Sequence, residues 1–222
     1  MYRDIQFRLT KDGSHTLYIP ELDEYYHSLH GAINESVHVF LQAGFSSHPS
    51  GNVKLLEIGF GTGLNAILTM IRAEEENRTV TYHSIDINPL PVEIISRLNY
   101  PELLEGIYKE RFRKIHEVDW NTEHEIASFF RLKKILADIR DHRLTGHYQV
   151  VYFDAFAPDK QPELWEQEIL MKIFNAMSSE SVLTTYSSKG EIKRRLAKCG
   201  FDVEKMPGPP GKREMLRCLK KS

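Results

Sequence analysis

Short apolar runs alternate with amphipathic stretches along most of this 222-residue chain. The apolar runs predict strands at residues 53–58, 80–85, 130–137, 150–153 and 182–186. The amphipathic stretches predict helices at residues 64–73, 92–98, 102–108, 163–177 and 191–199. Strands that alternate with helices are typical of an α/β fold with a mostly parallel sheet. Two last runs, at 201–205 and 215–219, flank a turn rich in Pro and Gly and predict one antiparallel edge.

The first fifty residues follow a different pattern. Residues 5–9 and 15–19 alternate around a KDGS turn, which predicts a hairpin because Asp-Gly accommodates a positive φ. A helical pattern follows at residues 34–43. We therefore expect an N-terminal extension at residues 1–50, made of a hairpin and a helix, and a main domain at residues 51–222.

The pattern is least regular at residues 112–129. Residues 112–118 fit a strand, because apolar positions recur in a short run. Residues 122–129 fit a helix. We therefore predict a strand followed by a helix in this stretch.

Composition indicates an ordinary globular protein, with 41% hydrophobic and 27% charged residues. No apolar run approaches the roughly 18 residues of a spanning helix, and the chain begins without a signal-peptide core. We therefore expect a cytoplasmic protein that does not bind membranes. Cys199 and Cys218 are the only cysteines, and the ten histidines lack the spacing of a zinc motif. No metal is expected.

The charge is uneven along the chain. Residues 189–222 contain eleven Lys or Arg and four acidic residues, a net charge of +7, whereas the whole chain carries −2. A basic end on an acidic body is typical of a surface that binds nucleic acid. A solvated helix face with a Lys-rich tail has the same composition, so charge alone leaves both interpretations open.

The run EIGFGTG at residues 57–63 joins a predicted strand to a predicted helix. Gly59, Gly61 and Gly63 allow a tight turn and let the backbone approach a ligand. Glu57 would repel a pyrophosphate but suits the positive charges of S-adenosylmethionine, which favours that cofactor over a dinucleotide. Asp86 ends the next strand and is placed to bind a ribose diol, although a helix-capping role is the alternative.

Acidic residues also follow the later strands. Asp138 ends the third strand of the main series and is the preferred neighbour of an adenine, with Asp119 as its rival. A solvated loop acid is the alternative interpretation of Asp138. The loop DAFAPDKQPELW, residues 154–165, directly follows the fourth strand. Ligands bind at the carboxyl ends of the strands in open α/β sheets, so Asp154 and Phe156 should face the transferred methyl group. The structural alternative is that Asp154 caps a helix whose entry the loop prolines shape.

Three motifs together resemble the methyltransferase domain of the MnmC family: LEIGFGTGLN at 56–65, DAFAP at 154–158 and GKREML at 211–216. The resemblance implies a Rossmann-like class I fold that uses S-adenosylmethionine. It also implies N-methylation of the 5-aminomethyl group of the tRNA wobble uridine or 2-thiouridine, giving 5-methylaminomethyluridine or its 2-thio form. Many members are fused to a flavin-dependent oxidoreductase. This chain stops at Ser222, so we expect a stand-alone methyltransferase without FAD.

We identify candidate site residues from the motifs, the charge pattern and the resemblance taken together. Asp154 is the catalytic candidate. The cofactor candidates are Glu35, Glu57, Gly59, Gly61, Gly63, Asn65, Asp86 and Asp138. The tRNA anticodon stem-loop is the expected partner, bound through phosphates by basic residues and through stacking by aromatic ones. The substrate candidates are Tyr26, Phe156, Lys160, Trp165, Lys189, Arg194, Arg195, Lys212 and Arg213.

Two other functions remain open from the sequence. One is a methyl- or aminopropyltransferase of the same fold that acts on a small amine, and the basic end argues against it. The other is a catalytically silent module that binds RNA, and the intact glycine turn and Asp154 argue against that.

Overall fold

The computed structural model describes residues 4–104 and 106–221. Its strands are β1 (Gln6–Leu9), β2 (His15–Ile19), β3 (Glu24–Tyr25), β4 (Asn52–Ile58), β5 (Thr79–Asp86), β6 (Glu123–Ala127), β7 (Phe130–Leu136), β8 (Tyr148–Phe153), β9 (Met177–Thr185), β10 (Asp202–Pro207) and β11 (Glu214–Lys220). Its α-helices are α1 (Ala32–Ser36), α2 (Leu64–Glu75), α3 (Val92–Ile95), α4 (Tyr100–Leu103), α5 (Tyr108–Glu117), α6 (Gln167–Ala176) and α7 (Gly190–Cys199). A π-helix at Val37–Gln42 continues α1, and 3₁₀ helices lie at Phe45–Ser47 and Pro162–Trp165. No helix of the described residues is long and apolar enough to cross a membrane.

The central sheet has the strand order β10-β11-β9-β8-β4-β5-β7-β6. The five inner strands, from β9 to β7, run parallel to one another. This confirms the expected mostly parallel sheet, and β10 and β11 form the expected antiparallel edge. The opposite edge is also antiparallel, because β6 pairs with β7 in that direction. The sequence did not predict this second edge.

The strand predicted at 112–118 and the helix predicted at 122–129 are both wrong. The first stretch is mostly α5, which buries Phe112 and Ile115 on one helical face because they are three residues apart. The second is largely β6, which is held by its pairing with β7. The helix predicted at 163–177 is also shorter than expected, because a 3₁₀ helix precedes α6 and β9 begins directly after it.

The apolar core lies on both faces of the central sheet. Successive residues of a strand point to opposite faces. In β4, Val53 and Leu55 accordingly belong to one buried cluster, and Leu56 and Ile58 belong to the other. Residues of α2 and α5 complete the first cluster, and residues of α6 and α7 complete the second. Helices on both faces leave the carboxyl ends of the strands available for a site.

The N-terminal segment forms a small sheet in the order β1-β2-β3, one strand more than the predicted hairpin. Leu17 and Phe40 are buried in the same cluster as the first face of β4. The buried His27 extends to the glycine turn, where its Nε2 lies 2.9 Å from Thr62 Oγ1. The segment therefore packs onto the central sheet and onto the turn. The division of the chain at residue 50 stays a prediction.

Candidate active site

A cavity of about 360 Å³ opens at the carboxyl ends of the parallel strands. Each inner strand contributes a lining residue at or just after its carboxyl end. Gly59, Asp154 and Tyr186 directly follow β4, β8 and β9. Asp86 is the last residue of β5, and Asp138 lies two residues after β7. The segment between β3 and α1 supplies a further wall. This is where open α/β sheets bind ligands, and the volume suits a small molecule such as a nucleoside cofactor.

The glycine turn presents backbone atoms to this cavity. Gly59 and Gly63 have φ angles of 94° and 72°, in the left-handed region that favours glycine. A Cβ at Gly59 would lie 2.8 Å from the carbonyl oxygen of Asp154, and one at Gly63 would lie 2.7 Å from His116 Nε2. Gly59 and Gly61 line the cavity, whereas Gly63 is the N-cap of α2. Side chains are thus excluded where a ligand would approach.

Asp86 is held as a fixed hydrogen-bond acceptor at the end of β5. The Gly61 N–H donates to its Oδ2 at 3.0 Å, and the Asn88 N–H donates to its Oδ1 at 2.8 Å. Burial raises the pKa of Asp86, and the backbone hydrogen bonds oppose that rise. A carboxylate fixed beside the glycine turn suits the hydroxyl groups of a ribose.

Asp138 lines the cavity after β7. Its Oδ2 accepts a hydrogen bond of 2.6 Å from the Arg140 guanidinium, which holds the pKa of Asp138 below its usual value. Its rival Asp119 is exposed in the loop after α5, outside the described lining. The geometry favours Asp138 for the adenine end of the cavity, and this role stays a prediction.

Asp154 is half-buried and faces the cavity directly after β8. Asn65, in the first turn of α2, donates its Nδ2–H to Asp154 Oδ2 at 2.8 Å. Burial raises the pKa of Asp154 well above its ordinary value, and the charge of Glu57 raises it further. Asp154 therefore combines a fixed orientation with an unusually high proton affinity for a carboxylate.

Glu57 is fully buried and lies outside the cavity wall, which corrects the expectation that it contacts the cofactor directly. In β4 its side chain points to the same face as Leu55 and enters the core. Ser84 Oγ donates to Glu57 Oε2 at 2.6 Å. Burial raises the pKa of Glu57 to about 8. Glu57 therefore belongs to the core beneath the site, where its carboxyl group is mostly protonated at neutral pH.

Lys212 is also placed differently from expectation. It was predicted to bind an RNA phosphate, but its Nζ lies in the cavity, 2.8 Å from Glu35 Oε1. The ammonium also stands 4.0 Å from the centroid of the Tyr186 ring. The physical reason is topological, because the turn between β10 and β11 brings Lys212 to α1. Glu35 lines the cavity, as expected of a residue that binds ligand.

The predicted aromatic residues divide into two groups. Tyr26 and Phe156 both line the cavity, with ring centroids 5.1 Å apart and an interplanar angle of 76°. Trp165 is fully buried, and its Nε1–H donates to the carbonyl oxygen of Phe156 at 2.8 Å. The expectation that Trp165 stacks on a base is therefore wrong, because its ring packs against Phe153 in the core.

The remaining basic candidates lie outside the described cavity lining. Three of them have carboxylate partners: Lys160 with Asp23, Lys189 with Asp159 and Arg195 with Glu191. Arg195 also donates to the carbonyl oxygen of Trp165 at 2.8 Å and so holds the end of the 154–165 loop in place. Arg194 and Arg213 are exposed on the surface. The exposed pair and Lys189 are the best placed for a phosphate backbone.

Many residues of the cavity lining were not among the sequence candidates, and His27, Thr62 and Tyr186 are three polar examples. Tyr186 ends the strand predicted at 182–186, so the strand-end rule could have found it. His27 gives no sequence signal, and burial lowers its pKa to about 4, which keeps the ring neutral. The described residues contain no group of three or more His, Cys, Asp or Glu side chains that could hold a metal ion.

The fold and the cavity define a Rossmann-like α/β protein with a site for a nucleoside cofactor. The bare glycine backbone and the fixed Asp86 carboxylate fit the adenosyl part of S-adenosylmethionine. The chain belongs to the S-adenosyl-L-methionine-dependent methyltransferase family, whose model matches residues 102–221.

Named relatives indicate which methyltransferases this chain resembles. The tRNA 5-methylaminomethyl-2-thiouridine biosynthesis bifunctional protein MnmC of Leptospira borgpetersenii is 29% identical over 211 residues, which cover 87% of this chain and 32% of that protein. MnmC of Azoarcus sp. is 28% identical, over 93% of this chain and 34% of the relative. The chain therefore spans about a third of the length of these relatives. The resemblance to the methyltransferase region of MnmC is confirmed.

Solved structures agree with this family. The crystal structure of MNMC2 from Aquifex aeolicus has a TM-score of 0.82 and 26% identity, and the match covers 100% of this chain and 73% of that one. Spermidine synthase from Thermotoga maritima matches with a TM-score of 0.61 and 13% identity, covering 100% of this chain and 72% of that one. The second match shows a shared fold alone.

Proposed function

We propose that this chain methylates the 5-aminomethyl group of uridine or 2-thiouridine at the tRNA wobble position, giving the 5-methylaminomethyl product. The observation that carries the proposal is the Asp154 carboxylate, fixed by Asn65 and facing the cofactor cavity. The relatives named for 5-methylaminomethyl-2-thiouridine biosynthesis support the same product. The anticodon stem-loop of tRNA, in the cytoplasm, is the partner in this proposal.

The chemistry requires an amine to be held and deprotonated. S-adenosylmethionine, when bound, supplies a methyl group on a positively charged sulfur. A lysine-like amine is only about one part in a thousand neutral at pH 7, a cost of roughly 4 kcal/mol. An ordinary carboxylate is a weak base for such an amine. Asp154 is better matched, because burial raises its pKa.

Asp154 would therefore have two roles. Its other oxygen, Oδ1, would accept a hydrogen bond from the amine and hold the nitrogen in line with the methyl group. As methylation makes the nitrogen more acidic, the same oxygen would accept the proton. Asp86, whose carboxylate accepts backbone hydrogen bonds, would add a negative potential that attracts both cationic reactants, whereas Glu35 and Asp138 are each paired with a cation.

The cavity mouth and the basic surface suit an RNA base rather than a free amine. Tyr26 and Phe156 form an aromatic wall in the cavity, and unstacked RNA bases bind to such walls. Arg194, Arg213 and Lys189 offer exposed positive charge for the phosphate backbone. These contacts are proposals that the following assay tests.

The assay offers labelled S-adenosylmethionine with three acceptors: tRNA that carries 5-aminomethyluridine, the same tRNA in its 2-thio form, and a mixture of polyamines. We expect label in tRNA and none in polyamines. Label in polyamines would support a transferase for small amines instead. Label in none of the acceptors would contradict the proposed activity.

The Asp154→Asn variant tests the site itself. We expect turnover to fall by about 10²- to 10⁴-fold, the usual contribution of a positioned acid or base. Binding of S-adenosylhomocysteine should change only a few-fold. Asp159→Asn is the matched control, because Asp159 belongs to the same loop but is exposed. Near-normal turnover of Asp154→Asn would show that Asp154 is not a catalytic residue.

A further inference from the structure

The mouth of the cavity can be located from the exposure of the residues that line it. Leu29, His30 and Ile87 are exposed, whereas the rest of the described lining is buried or half-buried. A ligand therefore enters between the loop after β5, which carries Ile87, and the segment between β3 and α1, which carries Leu29 and His30. Groups of the ligand that stay outside the cavity would lie against this rim.

Lys11 and His30 meet at the rim. Lys11 Nζ lies 3.2 Å from His30 Nδ1, and because an ammonium can only donate, Nδ1 is the acceptor. The Lys11 N–H donates to the carbonyl oxygen of Leu29 at 3.0 Å, which ties the turn between β1 and β2 to the rim. Lys11 and His30 are both exposed. The ammonium is thus held beside the mouth and keeps further N–H groups for another acceptor.

A second basic residue belongs to the turn between β10 and β11. Gly211, in this turn, packs so closely on the His30 ring that a Cβ there would lie 2.2 Å from Cδ2. Arg213 follows two residues later and is exposed. The His30 ring therefore contacts both the Lys11 ammonium and the turn that carries Arg213. Two segments far apart in the sequence bring positive charge to one rim.

This positive charge is not neutralised by the described part of the chain. Within that part, none of Lys11, His30 and Arg213 forms an ion pair with a carboxylate. Asp12, the neighbour of Lys11 in the sequence, accepts hydrogen bonds from two hydroxyl groups and from the Asn34 N–H instead. The rim therefore offers its charge to an external anion.

We propose that Lys11 and Arg213, joined through His30, form a site for a phosphate group of the RNA strand whose base enters the cavity. The phosphate is one of the two that flank the target nucleotide. When a base is turned into a pocket, its own phosphates stay outside, where side chains of the rim can reach them. Lys and Arg bind phosphate through charge-assisted hydrogen bonds. The inference rests on the proposed function, because it requires an RNA base in the cavity.

The site would determine which nucleotide of the strand reacts. A contact with the phosphate beside the reacting nucleotide fixes the register of the strand without reading its sequence. One base, and not its neighbour, would then reach Asp154. A free nucleoside or a polyamine has no such phosphate and would gain nothing from the rim.

The test combines protein variants with a neutral analogue of the phosphate. The ligand is an anticodon stem-loop RNA that carries 5-aminomethyluridine, and filter binding is measured with S-adenosylhomocysteine present. We expect Lys11→Gln and Arg213→Gln each to weaken the ordinary RNA by on the order of 10-fold, the lower end for a charged hydrogen bond. In a second RNA, an uncharged methylphosphonate replaces one of the two flanking phosphates. At one of these two positions, the same substitutions should weaken binding by less than about twofold, because the contact that they remove is already lost.

The controls are one matched variant and one matched RNA. Lys109→Gln changes an exposed lysine of α5 and should leave the binding of every RNA unchanged. A methylphosphonate in the stem should leave the full effect of Lys11→Gln and Arg213→Gln in place. If both substitutions weaken the ordinary RNA and both flanking methylphosphonates equally, the proposal is overturned and the proposed function stands. If the wild type transfers no labelled methyl group to the ordinary RNA, the proposed function falls, and this inference falls with it.

Discussion

Glu57→Gln gives a sharp test of how the core and the site are connected. The glutamate is fully buried, with Ser84 Oγ donating to its Oε2 at 2.6 Å. Glutamine has the same shape and still accepts that hydrogen bond, but it cannot ionise. The substitution therefore removes a buried titration with little change in packing.

The magnitude follows from the two pKa values of Glu57. Burial raises the pKa to about 8 in the folded protein, from 4.5 for an ordinary glutamate. The folded state thus keeps its proton between these values while the unfolded state loses it, so the stability of the wild type falls as pH rises through this window. The penalty is about 3 kcal/mol at pH 7 and about 1 kcal/mol at pH 5, at 1.36 kcal/mol per pKa unit.

Urea denaturation between pH 5 and pH 8.5 measures this penalty. We expect the advantage of Glu57→Gln over the wild type to fall from about 4 kcal/mol at pH 8 to about 1 kcal/mol at pH 5. Glu110→Gln, an exposed change in α5, should follow the wild type at every pH. Affinity for S-adenosylhomocysteine should be unchanged in both variants. A difference in unfolding free energy between Glu57→Gln and the wild type that stays constant across the pH range would refute the buried titration. A large loss of affinity for S-adenosylhomocysteine would indicate that Glu57 contacts the cofactor directly.

Three further substitutions test the buried placement of Trp165 and the role of two exposed arginines. Trp165→Phe removes the donor to the carbonyl oxygen of Phe156, so thermal unfolding should show a loss of about 1–3 kcal/mol. Affinity for tRNA should be unaffected, and a weaker tRNA complex with unchanged stability would contradict the buried placement. Arg194→Gln and Arg213→Gln should each weaken tRNA binding and reduce the slope of log K against log salt by about 1. If filter binding shows an unchanged salt slope for a variant, the substituted arginine does not contact a phosphate.

The inner part of the fold could be predicted because its hydrophobic runs are unambiguous. Strands buried on both faces have nearly continuous apolar sequence, as residues 150–153 of β8 do and as residues 55–58 of β4 do apart from Glu57. The edge formed by β6 could not be predicted in the same way. β6 has one buried residue, Ile126, so its sequence contains almost no strand pattern and its pairing with β7 decides the structure. In α5, only Phe112 and Ile115 are buried, and two apolar residues are too few to distinguish a helix from a strand.

The site was predictable where one topological rule applies. Because parallel strands end at the same edge, Asp86, Asp138 and Asp154 could be placed in one cavity from their positions after three strands. The rule does not give the direction of a side chain. Glu57 precedes the glycine turn, yet the alternation of β4 directs it into the core. Trp165 likewise lies in a functional loop but is the residue that anchors that loop to the core.

The basic end shows why counting charges predicts a partner less well than locating them. Among the described residues, six of the eleven Lys or Arg in residues 189–222 have a carboxylate partner: Lys189, Arg195, Lys205, Lys212, Arg217 and Lys221. Lys220 donates to the backbone carbonyl oxygens of Phe174 and Met177. Four of the six partners, Glu191, Asp202, Glu204 and Glu214, are already subtracted in the net charge of +7, and the two others, Glu35 and Asp159, reduce it to +5. Phosphate contacts by this surface would orient an RNA, and discrimination among substrates would fall to the cavity, where Asp154 meets the amine.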